Sequence, residues 1–102
     1  LAYVGSYSAT KAALIQVTKS QSIELARYNI CVNALAPGYI LTDINRDQLE
    51  GETGDLLKKK IPLKRFATVD ELDTIISMLL NTSNTYMTGA VVAVDGGLST
   101  GL

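Results

Sequence analysis

The sequence predicts an α/β chain whose strands lie in a parallel sheet and are covered on both faces. Two short, mostly apolar runs carry the expectation: Ile30-Cys31-Val32-Asn33-Ala34-Leu35-Ala36, stopped by Pro37-Gly38, and Ala90-Val91-Val92-Ala93-Val94-Asp95, stopped by Gly96-Gly97. Runs of this length without polar alternation suit strands buried on two sides. Between them, residues 68–81 repeat apolar side chains at helical spacing, and before them residues 8–27 contain neither Gly nor Pro. Strand, helix and strand in that order make a right-handed βαβ crossover, the connection parallel strands require.

At 102 residues the chain is at most one domain. Hydrophobic content of 47% against 19% charged residues describes a core-forming sequence, and no apolar run approaches the roughly 20 residues of a membrane span. No membrane segment is expected. A net charge of −1 and a pI near 5.2 give no electrostatic basis for binding nucleic acid. The one basic cluster, Lys58-Lys59-Lys60 with Lys64 and Arg65, follows Asp47, Glu50, Glu52 and Asp55 and reads as a solvated face. There is no His, which removes a Ser-His or Cys-His hydrolase and a His-dependent metal site within this chain. Cys31 stands alone in an apolar run, so a buried inert thiol is expected, in a reducing, cytoplasmic setting. The chain begins at Leu1 in mid-pattern, with no charged or apolar leader, and reads as a piece of something longer.

In chain order, residues from about Ser8 to Arg27 are rich in Ala9, Ala12, Ala13, Leu14, Val17 and Leu25 and predict one long helix ended by Tyr28-Asn29. Its small-residue face would pack on the sheet or on a second subunit. At its start Tyr7 and Lys11 stand four residues apart, hence on one face. An ammonium beside a phenol favours phenolate and lowers a pKa otherwise near 10, which is the chemistry of a general acid/base. Taken alone, the pair is equally a surface pair on a helix.

The strand over 30–36 should deliver function at its C-terminal end, where open α/β sheets bind ligands. That end is Pro37-Gly38-Tyr39-Ile40-Leu41-Thr42-Asp43. Gly38 can let a ligand approach the backbone, and Thr42 or Asp43 can cap a following helix and aim amides at an anion. An ordinary Pro-Gly turn before a capped helix is the other reading. Residues 44–60 are polar, with Gly51 and Gly54 interrupting any long helix, and read as a lid over substrate or as plain loop. Ile61-Pro62-Leu63-Lys64-Arg65-Phe66 reads as an extended connector, because Pro62 disfavours helix at Ile61. Thr68-Val69-Asp70-Glu71 has the capping-box pattern, followed by Leu72, Ile75, Ile76 and Leu79, and predicts an amphipathic helix ending near Asn81. Tyr86-Met87-Thr88-Gly89 then turns into the second strand. Two strands that are apolar on every face need more neighbours than this chain supplies, so a further segment is expected beside them.

Taken as an ordered set, Tyr7-Ser8-Ala9-Thr10-Lys11-Ala12-Ala13-Leu14, Val32-Asn33-Ala34-Leu35-Ala36-Pro37-Gly38 with Thr42, Ile61-Pro62-Leu63-Lys64-Arg65-Phe66, Met87-Thr88-Gly89 and Val94-Asp95-Gly96-Gly97 resemble the C-terminal half of a short-chain dehydrogenase/reductase. The resemblance covers nearly the whole chain. It implies the C-terminal part of a Rossmann-like doubly wound parallel sheet, with residues 1–102 forming that portion of one NAD(P)-binding domain. It implies an oxidoreductase that passes hydride between NAD or NADP and a small carbonyl or alcohol substrate. Tyr7 resembles the acid/base, and Lys11 the group that lowers its pKa and holds the nicotinamide ribose. The backbone at Ile40 and the hydroxyl of Thr42 resemble the contacts to the nicotinamide carboxamide, so Pro37, Gly38, Ile40 and Thr42 join Tyr7 and Lys11 as the cofactor-binding set.

The long helix and last strand resemble the surfaces that form homodimers and homotetramers. No metal is implied. The family's Gly-rich phosphate turn, its carbonyl-polarising Ser, its active-site Asn and its NAD-or-NADP selector have no counterpart here, so the chain alone is expected to be inactive. A different reading is a non-catalytic assembly module derived from the same fold.

Overall fold

The computed structural model describes the backbone of residues 2–100 and side chains from residue 9 to 100. Helix α1, Ala2–Leu25, begins ahead of the expected start near Ser8. It gives way to a 3-10 turn, Ala26–Tyr28, and stops at Asn29, whose left-handed conformation (φ 59°) lets its N–H donate to the Ala26 carbonyl at 2.9 Å. Ile30 N–H then reaches back to the Leu25 carbonyl at 3.3 Å, so the last carbonyls of the helix are satisfied by the chain that leaves it. The expected break at Tyr28-Asn29 is therefore a left-handed cap.

Strand β1 is Ala34–Pro37, β2 Ile40–Leu41, β3 Ala67–Thr68 and β4 Val91–Val94. Helices α2 (Arg46–Leu49), α3 (Glu52–Lys60) and α4 (Val69–Leu80) complete the order, with a 3-10 turn at Leu98–Thr100. β1 pairs with β4, and β2 with β3. Ala34 N–H donates to the Ala90 carbonyl at 2.9 Å and Gly38 N–H to the Val94 carbonyl at 3.0 Å. Donor and acceptor advance together, so this ladder is parallel.

The chain divides into two compact units, Leu1–Ala34 with Thr82–Val92 and Leu35–Asn81 with Ala93–Leu102. In the first, Asn33 splices the approach to β1 onto the approach to β4. Its side-chain amide donates to the Met87 carbonyl and accepts from Ala90 N–H, both at 3.0 Å. Gly89 N–H donates to the Val32 carbonyl at 2.7 Å, and Val32 N–H to the Thr88 hydroxyl at 3.0 Å. The polar residues of this unit thus extend a ladder that its apolar residues begin. Thr18 and Ser22 of α1 are buried because their hydroxyls bond carbonyls of their own helix, Leu14 at 2.8 Å and Lys19 at 2.6 Å.

In the second unit β2 and β3 are parallel, with Ile40 opposite Ala67 and Leu41 opposite Thr68. Ile61 (2% exposed) and Phe66 (8%) are its core. Tyr39 meets Phe66 edge-on, ring centroids 6.0 Å apart, and the Lys58 ammonium sits 5.2 Å from the Phe66 ring centre. The connector 61–66, expected to be extended, is a turn: Ile61 is extended as Pro62 demands, but Lys64 N–H returns to the Ile61 carbonyl at 2.8 Å and Lys64 has φ 59°. Gly96 and Gly97 close over this turn, with φ 64° and 94°. A Cβ on Gly96 would lie 2.8 Å from Ile61 Cγ2, and one on Gly97 2.8 Å from Pro62 Cγ. Only glycine permits both the backbone conformation and the approach.

The stretch 44–60 is mostly helical. Gly51 (φ 91°) separates α2 from α3, as expected, whereas Gly54 lies inside α3 and does not interrupt it. A Cβ at Gly54 would fall on the Leu49 carbonyl, so its glycine serves the crossing of α2 over α3. Cys31 is also a correction, since its thiol is free and exposed: β1 starts only at Ala34, leaving Cys31 on the approach.

The strands are half-buried, so the expected cover on both faces is not supplied by the described residues. Large apolar side chains remain exposed on α1 (Leu14, Val17, Ile23) and α4 (Val69, Ile76, Leu80). No helix among the described residues is long and apolar enough to cross a membrane.

Helix α4 begins as its sequence predicts. Thr68 and Glu71 form the capping box, its tight half being Thr68 N–H to the Glu71 carboxylate at 3.0 Å. Arg65 grips the same carboxylate with two nitrogens, at 2.7 and 2.8 Å. The Arg65 hydrogen bonds, and then the Thr68 N–H, hold Glu71 down to about 2 from its ordinary 4.5, and Glu71 in turn raises Arg65. A carboxylate with a depressed folded pKa stabilises above its unfolded pKa and loses that contribution as pH falls through the folded value. Unfolding of the intact protein in urea should therefore show Glu71→Gln less stable than wild type at pH 7. The gap should narrow as the pH falls from 4.5 toward 2.

Candidate functional site

The proposed site residues fall into two groups, one in each compact unit. Tyr7 and Lys11 are both on α1, which runs unbroken through them. The Tyr7 side chain lies outside the described residues. Lys11 is exposed. Helical periodicity puts positions 7, 11, 18 and 22 on one stripe, and Thr18 and Ser22 are its buried members. Ser22 Oγ lies 2.8 Å from where a Gly89 Cβ would stand, so the stripe is in close contact with the turn leading to β4.

Pro37, Gly38, Ile40 and Thr42 are brought together in the second unit, from the end of β1 through β2. At Gly38 the side-chain space is taken by the chain itself. A Cβ there would meet Asp95 Cα and Cβ at 2.8 Å, so the space that glycine leaves is filled by the chain itself rather than held open for a ligand. The Asp95 carboxylate accepts from Gly97 N–H at 2.9 Å and Ser99 N–H at 3.1 Å, which fixes the turn against which Gly38 lies.

Beyond Gly38, β2 is bound to β3 through the Tyr39 carbonyl, which accepts from Ala67 N–H at 3.0 Å. In a parallel ladder alternate residues direct both backbone groups to the same neighbour, so Tyr39 and Leu41 serve β3 and the N–H and carbonyl of Ile40 face the other way. There Asn45 intervenes. Its Nδ2 donates to the Ile40 carbonyl at 2.8 Å, its Oδ1 accepts from Thr42 N–H at 2.7 Å, and its own N–H donates to Thr42 Oγ1 at 3.4 Å. Neither Thr42 nor Asp43 is the N-cap expected of them; Asn45 precedes α2. Among Thr42, Asp43 and Asn45 the sequence offers three capping residue types in four positions. The usable signal was that Asn45 alone directly precedes the helix-forming run Arg46-Asp47-Gln48-Leu49.

A cleft of about 610 Å³ opens beside Thr42, between residues 41–44 with Arg46 on one side and residues 68–70 on the other. Ile44 is 96% exposed. Arg46 is held between Asp43 at 3.6 Å and Glu50 at 3.4 Å, so the one guanidinium at this rim is already partnered. The cleft offers apolar surface with little net charge, suited to a neutral organic molecule. Two hydrogen-bond donors stand in this segment: the Ile40 N–H, next to the cleft in sequence, faces away from β3, and the Thr42 hydroxyl, on the cleft, has no acceptor among the described residues.

Comparison with known proteins gives this geometry its setting. Residues 1–99 match the family described as enoyl-(acyl carrier protein) reductase. The chain is 43% identical over 93 residues to a 3-oxoacyl-[acyl-carrier-protein] reductase of Aquifex aeolicus, covering 91% of this chain and 37% of that one. It is 40% identical over 94 residues to a ribulose-forming D-arabinitol 2-dehydrogenase of Scheffersomyces stipitis, covering 89% of this chain and 34% of that one. A solved short-chain dehydrogenase/reductase from Serratia marcescens superimposes with a TM-score of 0.83 at 33% identity, over 91% of this chain and 37% of its own. An NADPH-dependent reductase involved in bacilysin biosynthesis superimposes with a TM-score of 0.82 at 33% identity, over 93% and 40%. These matches define an α/β protein of the Rossmann-like class. The chain belongs to the short-chain dehydrogenase/reductase family. It spans little more than a third of the length of the curated relatives it matches, 37% of the Aquifex protein.

The contact at Gly38 makes a test of the local structure. Gly38→Ala places a methyl against backbone that cannot rotate away, and overpacking of this kind costs about 1–3 kcal/mol. Chemical unfolding of the intact protein should show a loss in that range; an unchanged midpoint would mean that Asp95 does not lie against Gly38.

Proposed function

We propose that residues 1–102 form the C-terminal portion of one NAD(P)-binding Rossmann-like domain, in an oxidoreductase that moves hydride between a nicotinamide and a carbonyl/alcohol substrate. The observation that carries this is α1 itself, continuous through Tyr7 and Lys11 in a chain that matches its family over residues 1–99. One turn of helix holds the two positions on a common face whatever the rest of the domain does.

When bound, the nicotinamide of NAD or NADP gives or takes the hydride. Tyr7 gives its phenolic proton to the carbonyl oxygen during reduction and removes the hydroxyl proton during oxidation. Lys11 stabilises the phenolate by its charge and donates to the nicotinamide ribose. Pro37 and Gly38 set the turn from β1, and Ile40 and Thr42 receive the carboxamide. The cleft beside Thr42 takes the substrate, with the helices after Asp43 as its movable cover. The phosphate-binding Gly-rich turn and the carbonyl-polarising Ser come from the part of the domain that precedes this chain in the family. Leu14, Val17 and Ile23, exposed on α1, together with β4 suit a homodimer or homotetramer contact in the cytoplasm.

Tyr7→Phe in the intact protein tests the acid/base role. It should lower kcat by about 10²–10⁴, the usual contribution of a positioned acid/base, while leaving the affinity for NAD(P) within a few-fold. Turnover within a few-fold of wild type would sink the assignment.

A further inference from the structure

We propose that Lys64 is a positioning residue whose ammonium pins the C-terminal end of α3, and that through α3 and α2 it sets where Arg46 stands at the rim of the cleft. Its use in the reaction rests on the reading of that cleft as the substrate site.

The basic cluster over 58–65, expected to be a solvated face, is partly engaged within the second unit. Lys58 lies over the Phe66 ring, Arg65 holds Glu71, and Lys64 Nζ donates to the Lys59 carbonyl at 2.6 Å. That carbonyl needs a donor from outside its helix. The helical partner would be the N–H four residues on, at Leu63, and Leu63 N–H donates to the Gly96 carbonyl at 3.1 Å instead. A cation at a helix C-terminus also meets the negative end of the helix dipole.

Lys64 reaches this carbonyl from a backbone that lysine rarely adopts. Its φ of 59° is left-handed, where glycine is unstrained and Asn or Asp can bond locally. A glycine at position 64 would make the same turn without strain, but would take the ammonium away from the Lys59 carbonyl. The side chain therefore compensates for the backbone it imposes.

The pin passes to the cleft through α2. Gly54 on α3 lies so near the Leu49 carbonyl that no Cβ fits between them, and helices packed this closely shift together. Arg46 opens α2 and lines the cleft. Gly51, which joins the two helices, has φ 91° and nothing within 4 Å of where a Cβ would stand, so the joint itself supplies no side-chain support.

The test is hydrogen exchange of the intact protein, read by mass spectrometry over α2, α3 and α4, in Lys64→Met, Lys64→Gly and Lys64→Arg. Met loses the charge and keeps the strain, Gly loses both, and Arg keeps a donor of similar reach. The amides of α3 and α2 should exchange about threefold faster in Lys64→Met and Lys64→Gly alike, the effect of one lost charge at a helix end. Exchange in α4 should not change, and Lys64→Arg should keep wild-type rates throughout. The urea midpoint should be higher in Lys64→Gly than in Lys64→Met, because glycine is unstrained at this φ. Local exchange would then follow the ammonium while global stability follows the backbone.

Unchanged α3 exchange in both Lys64→Met and Lys64→Gly would overturn the proposal. So would wild-type exchange in Lys64→Gly alone, which would assign the effect to strain, or fast exchange in Lys64→Arg. A rise in α3 that α2 does not share would overturn the link to Arg46. Exchange needs no substrate, so a cleft that takes none would overturn the substrate reading and leave these results as they are.

Discussion

The second unit depends on close approaches that only absent side chains allow. Gly38 lies against Asp95, Gly96 against Ile61 and Gly97 against Pro62, each within 2.8 Å of where a Cβ would stand. These contacts form a sequence. Asp95 sits beside the end of β1, its carboxylate fixes Gly97, and the glycine pair covers the turn that buries Ile61. That turn leads to Phe66 and hence to β3, which holds β2 and with it Ile40. Substituting any of the three glycines would move the proposed carboxamide segment by moving what it leans on, because close-packed interiors transmit strain.

The first unit solves a different problem. The chain entering β1 and the chain entering β4 must be joined before either is a regular strand, and Asn33 does this by imitating the backbone, donating and accepting where a strand residue would. An apolar residue at that position would leave Ala90 N–H and the Met87 carbonyl to find water. The same device recurs at Asn45, which satisfies one backbone donor and one acceptor across a turn. Two asparagines thus stand at the entry to β1 and the exit from β2, each bonding backbone groups that a strand ladder does not reach.

What could be read in the sequence was what local rules decide. The capping box at Thr68 and Glu71 and the helix break at Tyr28-Asn29 depend on a few adjacent residues, and both are found where the sequence places them. Tyr7 and Lys11 share a helix because the run around them holds one, and their spacing is independent of tertiary context. Contacts between distant residues were not legible. The two-residue strands β2 and β3 stabilise each other across 27 positions of register and carry almost no propensity of their own. Gly54 was misread because a glycine inside a helix looks like a break unless the crossing Leu49 carbonyl is known. Gly38 looked like an opening for a ligand, and only the path of Asp95 shows the space to be filled. Cys31 was expected inside because a run of apolar residues was taken for strand throughout, whereas β1 begins three residues later.

The stripe on α1 connects these observations to chemistry. Its buried members, Thr18 and Ser22, are small and bond their own helix, so neither demands a polar partner from the neighbouring chain. That is why α1 can lie against Gly89 with only a hydroxyl between them. A larger residue at position 22 or a Cβ at position 89 would push this stretch of helix outward. A helix is stiff over 24 residues, so lifting one end of the stripe tilts the other, where Lys11 and Tyr7 stand. Leu14, Val17 and Ile23 stay 59%, 47% and 78% exposed and so contribute little burial toward holding the helix. The packing of this stretch of helix within its own unit therefore rests on two small hydroxyl residues and a glycine, and through the stiff helix it bears on the proposed acid/base positions 7 and 11.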